Sequence, residues 1–218
     1  LVTGGAGFIG SHVVDKLCEY GVTVRVFDLM RPPRDDVDYY QGRILELGQL
    51  RSAMRGVDAV MHLAAVAVYS QVPHKTERYL RAAAKGSHLS TLAFSEFGSR
   101  SHFWVPVSRE QRSNGRVTLK AAKSFVTSAG RADGYVVSTA WSEGKQPVDS
   151  MVYLVLREDP GLHVAGPWNG LGLRGNLSAP MRLDNVHIGE ERALCEHGKG
   201  LEVVLNTVLP VFNLGCAA

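Results

Sequence analysis

VMHLAAVAVYSQVPHKTERYL, Val60 to Leu80, is the stretch that decides how this chain divides. Its first half is apolar and ends in small residues, the form of a fourth strand in a parallel sheet. Its second half, continued as TERYLRAAAKG, reads as a short helix ended by Gly86. Upstream, strands alternate with helices. Downstream, short strands follow one another between turn signals. The stretch is therefore either the continuation of one domain or the joint between two.

The chain has 218 residues, 45% hydrophobic and 21% charged, with a net charge of +3. That balance is ordinary for a globular protein. The charge is too mild, and too free of dense basic runs, to point to nucleic acid. Cys18, Cys195 and Cys216 are few, odd in number and without CxxC spacing, which argues against a disulfide framework and a zinc site. A reducing, cytoplasmic setting fits this usage. The richest apolar run, Ala59 to Tyr69, is short and contains His62, so no membrane span is expected. No signal peptide is visible. The first strand begins at Leu1 and the chain ends in the apolar run VLPVFNLGCAA, so a fragment is expected.

LVTGGAGFIGSHVVDKLCEYGVTVRVFD reads as strand, glycine turn, helix and second strand. Gly4 permits the tight turn, Gly7 lets a pyrophosphate approach the backbone, and Gly10 lets the helix pack closely on the strand. The helix N-terminus offers free N–H groups to phosphates. Ile9, Val13, Val14 and Leu17 form the buried stripe. Asp28 stands where an acid meets adenosine ribose hydroxyls, which favours NAD over NADP. Arg31 and Arg34 follow it and offer a 2′-phosphate partner, so both cofactors stay open.

TGGAGFIGSH, VFD and GVDAVMHLAA resemble the NAD-dependent epimerase/dehydratase branch of the short-chain dehydrogenases. The resemblance covers about residues 1–66. It implies a partial Rossmann sheet and NAD contacts from Gly4, Gly7, Phe8, Ile9, Gly10, Asp28, His62 and Ala64. Two departures matter. Arg43 stands where the family usually has an acid. No tyrosine has a lysine four residues on, so the family's acid–base pair is absent from the sequence.

From about Lys75 the pattern changes. Short strands lie between Gly, Pro, Asn and Asp turns, with Asn114-Gly115 the strongest hairpin signal. Such spacing predicts a closed or sandwiched antiparallel β unit. GKGLEVVLNTVLPVFNLG restarts a helical pattern. Arg100, Arg109, Arg112 and Arg116 read as a solvated face, with phosphates as the alternative partner, and His102 and His163 as ordinary strand or loop residues.

TLAFSEFGSRSHFW, KSFVTSAGRADGYVV, YLVLREDPGLHV, GLGLRGNLSAPMRLDNVHI and CEHGKG, in that order, resemble the middle β domain of the acyl-CoA dehydrogenases over roughly 130 residues. The resemblance implies FAD. By position, Phe94 and Ser95 would contact the isoalloxazine edge and Ser101 the pyrophosphate. Phe125 would stand where a tryptophan usually covers the ring, and Thr127 would bond near the reactive nitrogen. Phe97, Arg100 and His102 replace the family's usual proline, glycine and aspartate. The implied reaction is α,β-dehydrogenation of an acyl-CoA thioester. Its carboxylate base belongs to a helical domain outside this sequence, and Glu96 is structural by its motif position.

The expected architecture is α/β plus all-β: a partial Rossmann-like parallel sheet, then an acyl-CoA dehydrogenase-like antiparallel β-barrel with short flanking helices. The segments are 1–66 for dinucleotide binding, 67–90 for the junction and helix, 91–190 for the flavin-binding unit, and 191–218 for a truncated helical domain. The leading reading is a flavin-dependent acyl-CoA dehydrogenase fragment, inactive alone. The alternatives are an NAD(P)-dependent nucleotide-sugar epimerase/dehydratase fragment and a non-catalytic recombined nucleotide-binding chain. An unpaired HLAA strand edge would favour self-association. No catalytic residue and no metal ligand is assigned.

Overall fold

The computed structural model describes residues 1–43, 46–58, 68–85, 87–100, 102–170 and 177–209. His62, Ala64 and the rest of the expected fourth strand lie outside the described residues, as does Ser101. The side chains of Phe8 and Ile9 are also outside what is described.

The N-terminal unit runs β1 (Val2–Thr3), α1 (Phe8–Glu19), β2 (Arg25–Asp28), β3 (Asp38–Gln41) and α2 (Leu47–Met54). Its strands pair in parallel in the order β1-β2-β3, with Val2 opposite Val26 and Val26 opposite Tyr39. Val14 is buried with Val2, Val24 and Val26, and Val13 and Leu17 pack beside them, as the periodicity of α1 predicts. Gly4 sits at φ +68°. A Cβ on Gly10 would lie 1.9 Å from the Gly4 carbonyl oxygen, so only glycine lets α1 approach the turn this closely.

The helix α3 (Pro73–Ala84) starts with proline in its first turn, where the missing N–H costs nothing. Val68, Tyr69 and Tyr79 are buried in one cluster with Phe94, Val136, Val152 and Leu154. By packing, the chain from Val68 onward joins the core that follows it.

The second unit contains β4 (Ser90–Ala93), β5 (Gln111–Ser113), β6 (Arg116–Val126), β7 (Gly134–Ala140), β8 (Ser150–Leu156), β9 (Leu162–Val164) and β10 (Ala179–Gly189). A short 3₁₀ turn, Glu190–Arg192, leads to a helix at Gly200–Val203 that runs on as a π-helical turn, Val204–Val208. The β5–β6 hairpin turns at Asn114 and Gly115, with φ +49° and +72°, the signature of the expected tight turn.

The strands form two sheets, β5-β6-β10-β9 and β4-β7-β8. Their inner faces share a core that includes Leu119, Val137, Tyr153, Leu183 and Ile188. β7 and β8 are buried along their whole length because Leu194, Val204 and Val208 cover the other face of their sheet. The expected antiparallel β-barrel is corrected: the described strands form two separate sheets, and within one of them β4 runs parallel to β7. β4 arrives from α3, and the β5–β6 hairpin intervenes before β7, so β4 and β7 are not hairpin neighbours. Single bridges, Glu96 to Lys123 and Arg109 to Ala140, tie the two sheets together. Among the described residues, no helix is long and apolar enough to cross a membrane.

Candidate functional site

Alternation along the first part of β6 turns Val117 and Leu119 inward and carries Lys123 to the interior as well, before the phase breaks at Ser124. Its side chain is 0% exposed, and Glu96, 3% exposed, lies 2.6 Å away. Lys123 Nζ also donates to the carbonyls of Ser138 at 2.7 Å and Phe94 at 3.4 Å, three acceptors for three ammonium protons. Glu96 accepts from the backbone N–H groups of Val107 and Ser108 at 2.8 and 2.7 Å, and from Ser108 Oγ at 2.5 Å. Burial pulls the Glu96 carboxyl up. Lys123 and the Ser108 donors outweigh it and hold the group below the usual carboxylate range. Burial pulls the Lys123 ammonium down, and Glu96 partly restores it.

This buried pair clamps two segments together. Ser124 N–H donates to the Ser95 carbonyl at 2.9 Å, and Phe97 N–H to the Ala122 carbonyl at 3.1 Å. Ser95, Phe125 and Thr127 are thereby brought onto neighbouring stretches of chain. Phe125 is 61% exposed, its ring edge-on to Trp168 at 5.5 Å. Thr127 is exposed, and Ser95 is half-buried. Phe94 differs: its side chain is buried in the core and its carbonyl accepts from Lys123, so the structure does not present it to a ligand as Phe125 and Thr127 are presented. Arg100 holds φ +49°, in the left-handed region that favours glycine.

At the N-terminal turn, Asp28 Oδ2 accepts from Ala6 N–H at 2.9 Å, and Oδ1 from Met30 N–H at 3.1 Å. The carboxylate is therefore fixed beside the glycine turn with lone pairs to spare. Arg34 pairs with Asp15 at 2.9 Å and with Asp36 at 2.5 Å, and Arg31 meets Asp35 at 3.4 Å.

The solvated-face reading of the arginines is corrected at Arg112. Its side chain is 12% exposed, lies 2.9 Å from Glu190, and meets His197 Nε2 at 2.9 Å. It is drawn inward by Glu110, a fully buried carboxylate that also accepts from the Tyr153 hydroxyl. Arg109 bonds the carbonyls of Trp141 and Ser142. Sequence reasoning missed both buried carboxylate partnerships. The inward phase of Lys123 in β6 was the available signal for one. Nothing local marks Glu110.

Comparison with known proteins gives two matches on the one chain. Residues 1–103 match the NAD dependent epimerase/dehydratase family, and residues 91–186 the middle domain of acyl-CoA dehydrogenase. This is a chimera-like combination. An acyl-CoA dehydrogenase of Bacillus subtilis (strain 168) is 29% identical over 143 residues, 65% of this chain and 37% of its own length. A sterol-4-alpha-carboxylate 3-dehydrogenase, decarboxylating, of Mus musculus is 40% identical over 72 residues, 32% of this chain and 19% of its own. The butyryl-CoA dehydrogenase structure from Megasphaera elsdenii superposes with a TM-score of 0.66 at 18% identity, covering 72% of this chain and 42% of that one. That likeness shows the fold. The chain spans less than half the length of these relatives.

Proposed function

We propose that the second unit, about residues 91–190, is a flavin platform of the acyl-CoA dehydrogenase type and takes FAD. The observation that carries this reading is the buried Glu96–Lys123 pair, which holds Ser95 and the Phe125–Thr127 strand end side by side. The residues fit the group: an exposed aromatic ring, a free-standing threonine hydroxyl and main-chain polar groups suit a flat polar heterocycle. A bound flavin would supply a hydride acceptor for α,β-dehydrogenation of an acyl-CoA thioester. Thr127 would tune that acceptance with a hydroxyl near the ring, and Phe125 would exclude water from one face.

Glu96 does not take the Cα proton in this reading. Its oxygens are occupied by Lys123, Val107 and Ser108, and a base needs a lone pair facing the substrate. The carboxylate base would come from elsewhere in a whole enzyme. These residues would bind and orient, and the platform alone would not turn over. Titration with FAD tests this: a flavin absorbance band that stays with the chain supports it, and free flavin separating on gel filtration refutes it.

The Asp28 geometry favours a second, compatible reading for the first unit. Its carboxylate, beside the glycine turn, suits the ribose hydroxyls of NAD, as in an epimerase/dehydratase fragment. Arg31 and Arg34 are engaged by Asp35, Asp15 and Asp36, so a 2′-phosphate would find no waiting partner there. A melting shift with NAD but not NADP is expected. A shift with neither NAD nor FAD would leave a non-catalytic recombined chain.

A further inference from the structure

Arg112, on β5, meets His197, in the loop before the last helix, at 2.9 Å between Nη2 and Nε2. A guanidinium has donors and no lone pair, so Nε2 accepts and the imidazole keeps its one proton on Nδ1. The bond therefore exists only while His197 is neutral. Arg112 is anchored without it, by Glu190 at 2.9 Å and by the fully buried Glu110 at 3.8 Å. His197 is exposed. A second proton on the ring would set imidazolium against guanidinium, and the exposed imidazolium is the group that can leave.

What the imidazole holds is the loop that starts the last helix. Up to Leu194 the chain is firmly tied to β8, since Leu194 N–H donates to the Val152 carbonyl at 2.8 Å. Beyond it the ties to β8 are weaker. Val152 N–H reaches Cys195 Sγ at 3.3 Å, Gly198 N–H reaches Met151 Sδ at 3.2 Å, and Ser150 N–H reaches the Gly198 carbonyl at 3.4 Å. The charge-assisted bond from Arg112 is the stronger one. Directly after the loop, Val204 and Val208 cover β7 and β8.

The loop and the helix also wall a hollow of about 1070 Å³ whose far side is the start of α3. The charged groups around His197 come from every side of it. Arg112 and Glu110 lie at β5, with Tyr153 of β8 bonded to Glu110. Glu190 and Glu191 belong to the 3₁₀ turn, His74 and Lys75 to α3, and Glu196, Lys199 and Glu202 to the loop and helix themselves. Lys75 is turned to the Ala193 carbonyl and Lys199 to Glu202, which leaves Arg112 as the cation at the ring. We propose that His197 is a pH-operated latch. Neutral, it fastens the loop and residues 200–208 over β8. Protonated, it releases them and opens the hollow beside α3. Imidazole changes charge between about pH 5 and 8, so the latch works in the physiological range. It needs no bound cofactor and is independent of the flavin reading.

The test is hydrogen–deuterium exchange of the full chain at about pH 8 and about pH 5.5, on either side of the imidazole range. Rates are corrected for the intrinsic pH dependence of exchange, and circular dichroism confirms the fold. Residues 199–208 should exchange about tenfold faster at the lower pH, the scale of one lost charge-assisted hydrogen bond. Amides of β6 should keep their protection. His197→Gln offers Arg112 an amide oxygen that does not titrate, and the side chain is exposed, so the fold should survive. In that variant residues 199–208 should stay protected at both pH values. Equal protection of this segment at both pH values in the parent overturns the proposal. So does a pH response that persists undiminished in His197→Gln. Loosening that spreads equally over β6 overturns it as well, because it marks a global effect of acid.

Discussion

Glu96 and Lys123 come from segments 27 residues apart and meet at 2.6 Å with both side chains out of water. Every proton of the ammonium and both carboxylate oxygens have partners, so the pair is a satisfied network. Its main consequence is positional, since it registers Ser95 against Ser124 and so sets Ser95 beside the Phe125–Thr127 strand end.

Lys123→Met leaves a buried carboxylate without its counter-ion, and should cost about 3–5 kcal/mol in chemical denaturation. The double variant Lys123→Met/Glu96→Gln should lose less than the two single losses summed. Additive losses would mean the two groups do not interact.

The pair also sets an acid limit. The Glu96 carboxyl is held below its ordinary value, so its contribution is complete above the unfolded carboxylate range and fades as pH falls through the lower folded value. Removing the lysine raises that folded value. In Lys123→Met the midpoint of acid unfolding should therefore move to higher pH, and an unmoved midpoint would show that the carboxylate draws nothing from Lys123.

Gly10→Ala pushes a methyl group into the Gly4 carbonyl. The melting shift with NAD should disappear while the flavin absorbance with FAD persists. Loss of both responses together would show that the two units do not behave separately.

Phe125→Ala touches little of the core, because the ring is 61% exposed. Thermal stability should change by less than about 0.5 kcal/mol. Flavin affinity should drop about tenfold, the scale of a lost stacking contact. A large drop in stability with flavin affinity intact would reassign Phe125 to packing with Trp168.

Much of this was legible in the sequence, for local reasons. Asn114-Gly115 announces its hairpin because few residue pairs accept two positive φ values. The α1 stripe and the glycine turn depend on neighbours within one supersecondary unit. The parallel pairing of β4 with β7 was not legible, because it depends on where α3 delivers the chain. Arg112 was misread for a similar reason: Glu190, 78 residues away, and the buried Glu110 draw it inward, and no local pattern reports a distant carboxylate. By sequence, the joint lies between the 1–66 segment and the β unit whose pattern begins at about Lys75. The burial of Val68 and Tyr69 against β7 and β8 narrows it, since those side chains already serve the second core. We propose that the flavin unit takes its first core residues from Val68.

The most direct test of the central claim is an absorbance and fluorescence titration of the whole chain with FAD, run beside Lys123→Met. The account predicts one flavin bound per chain, with quenched fluorescence, and clearly weaker binding in the variant at a temperature where both remain folded. A folded chain that leaves FAD fluorescence unquenched, or a variant that binds FAD as well as the parent, would contradict it.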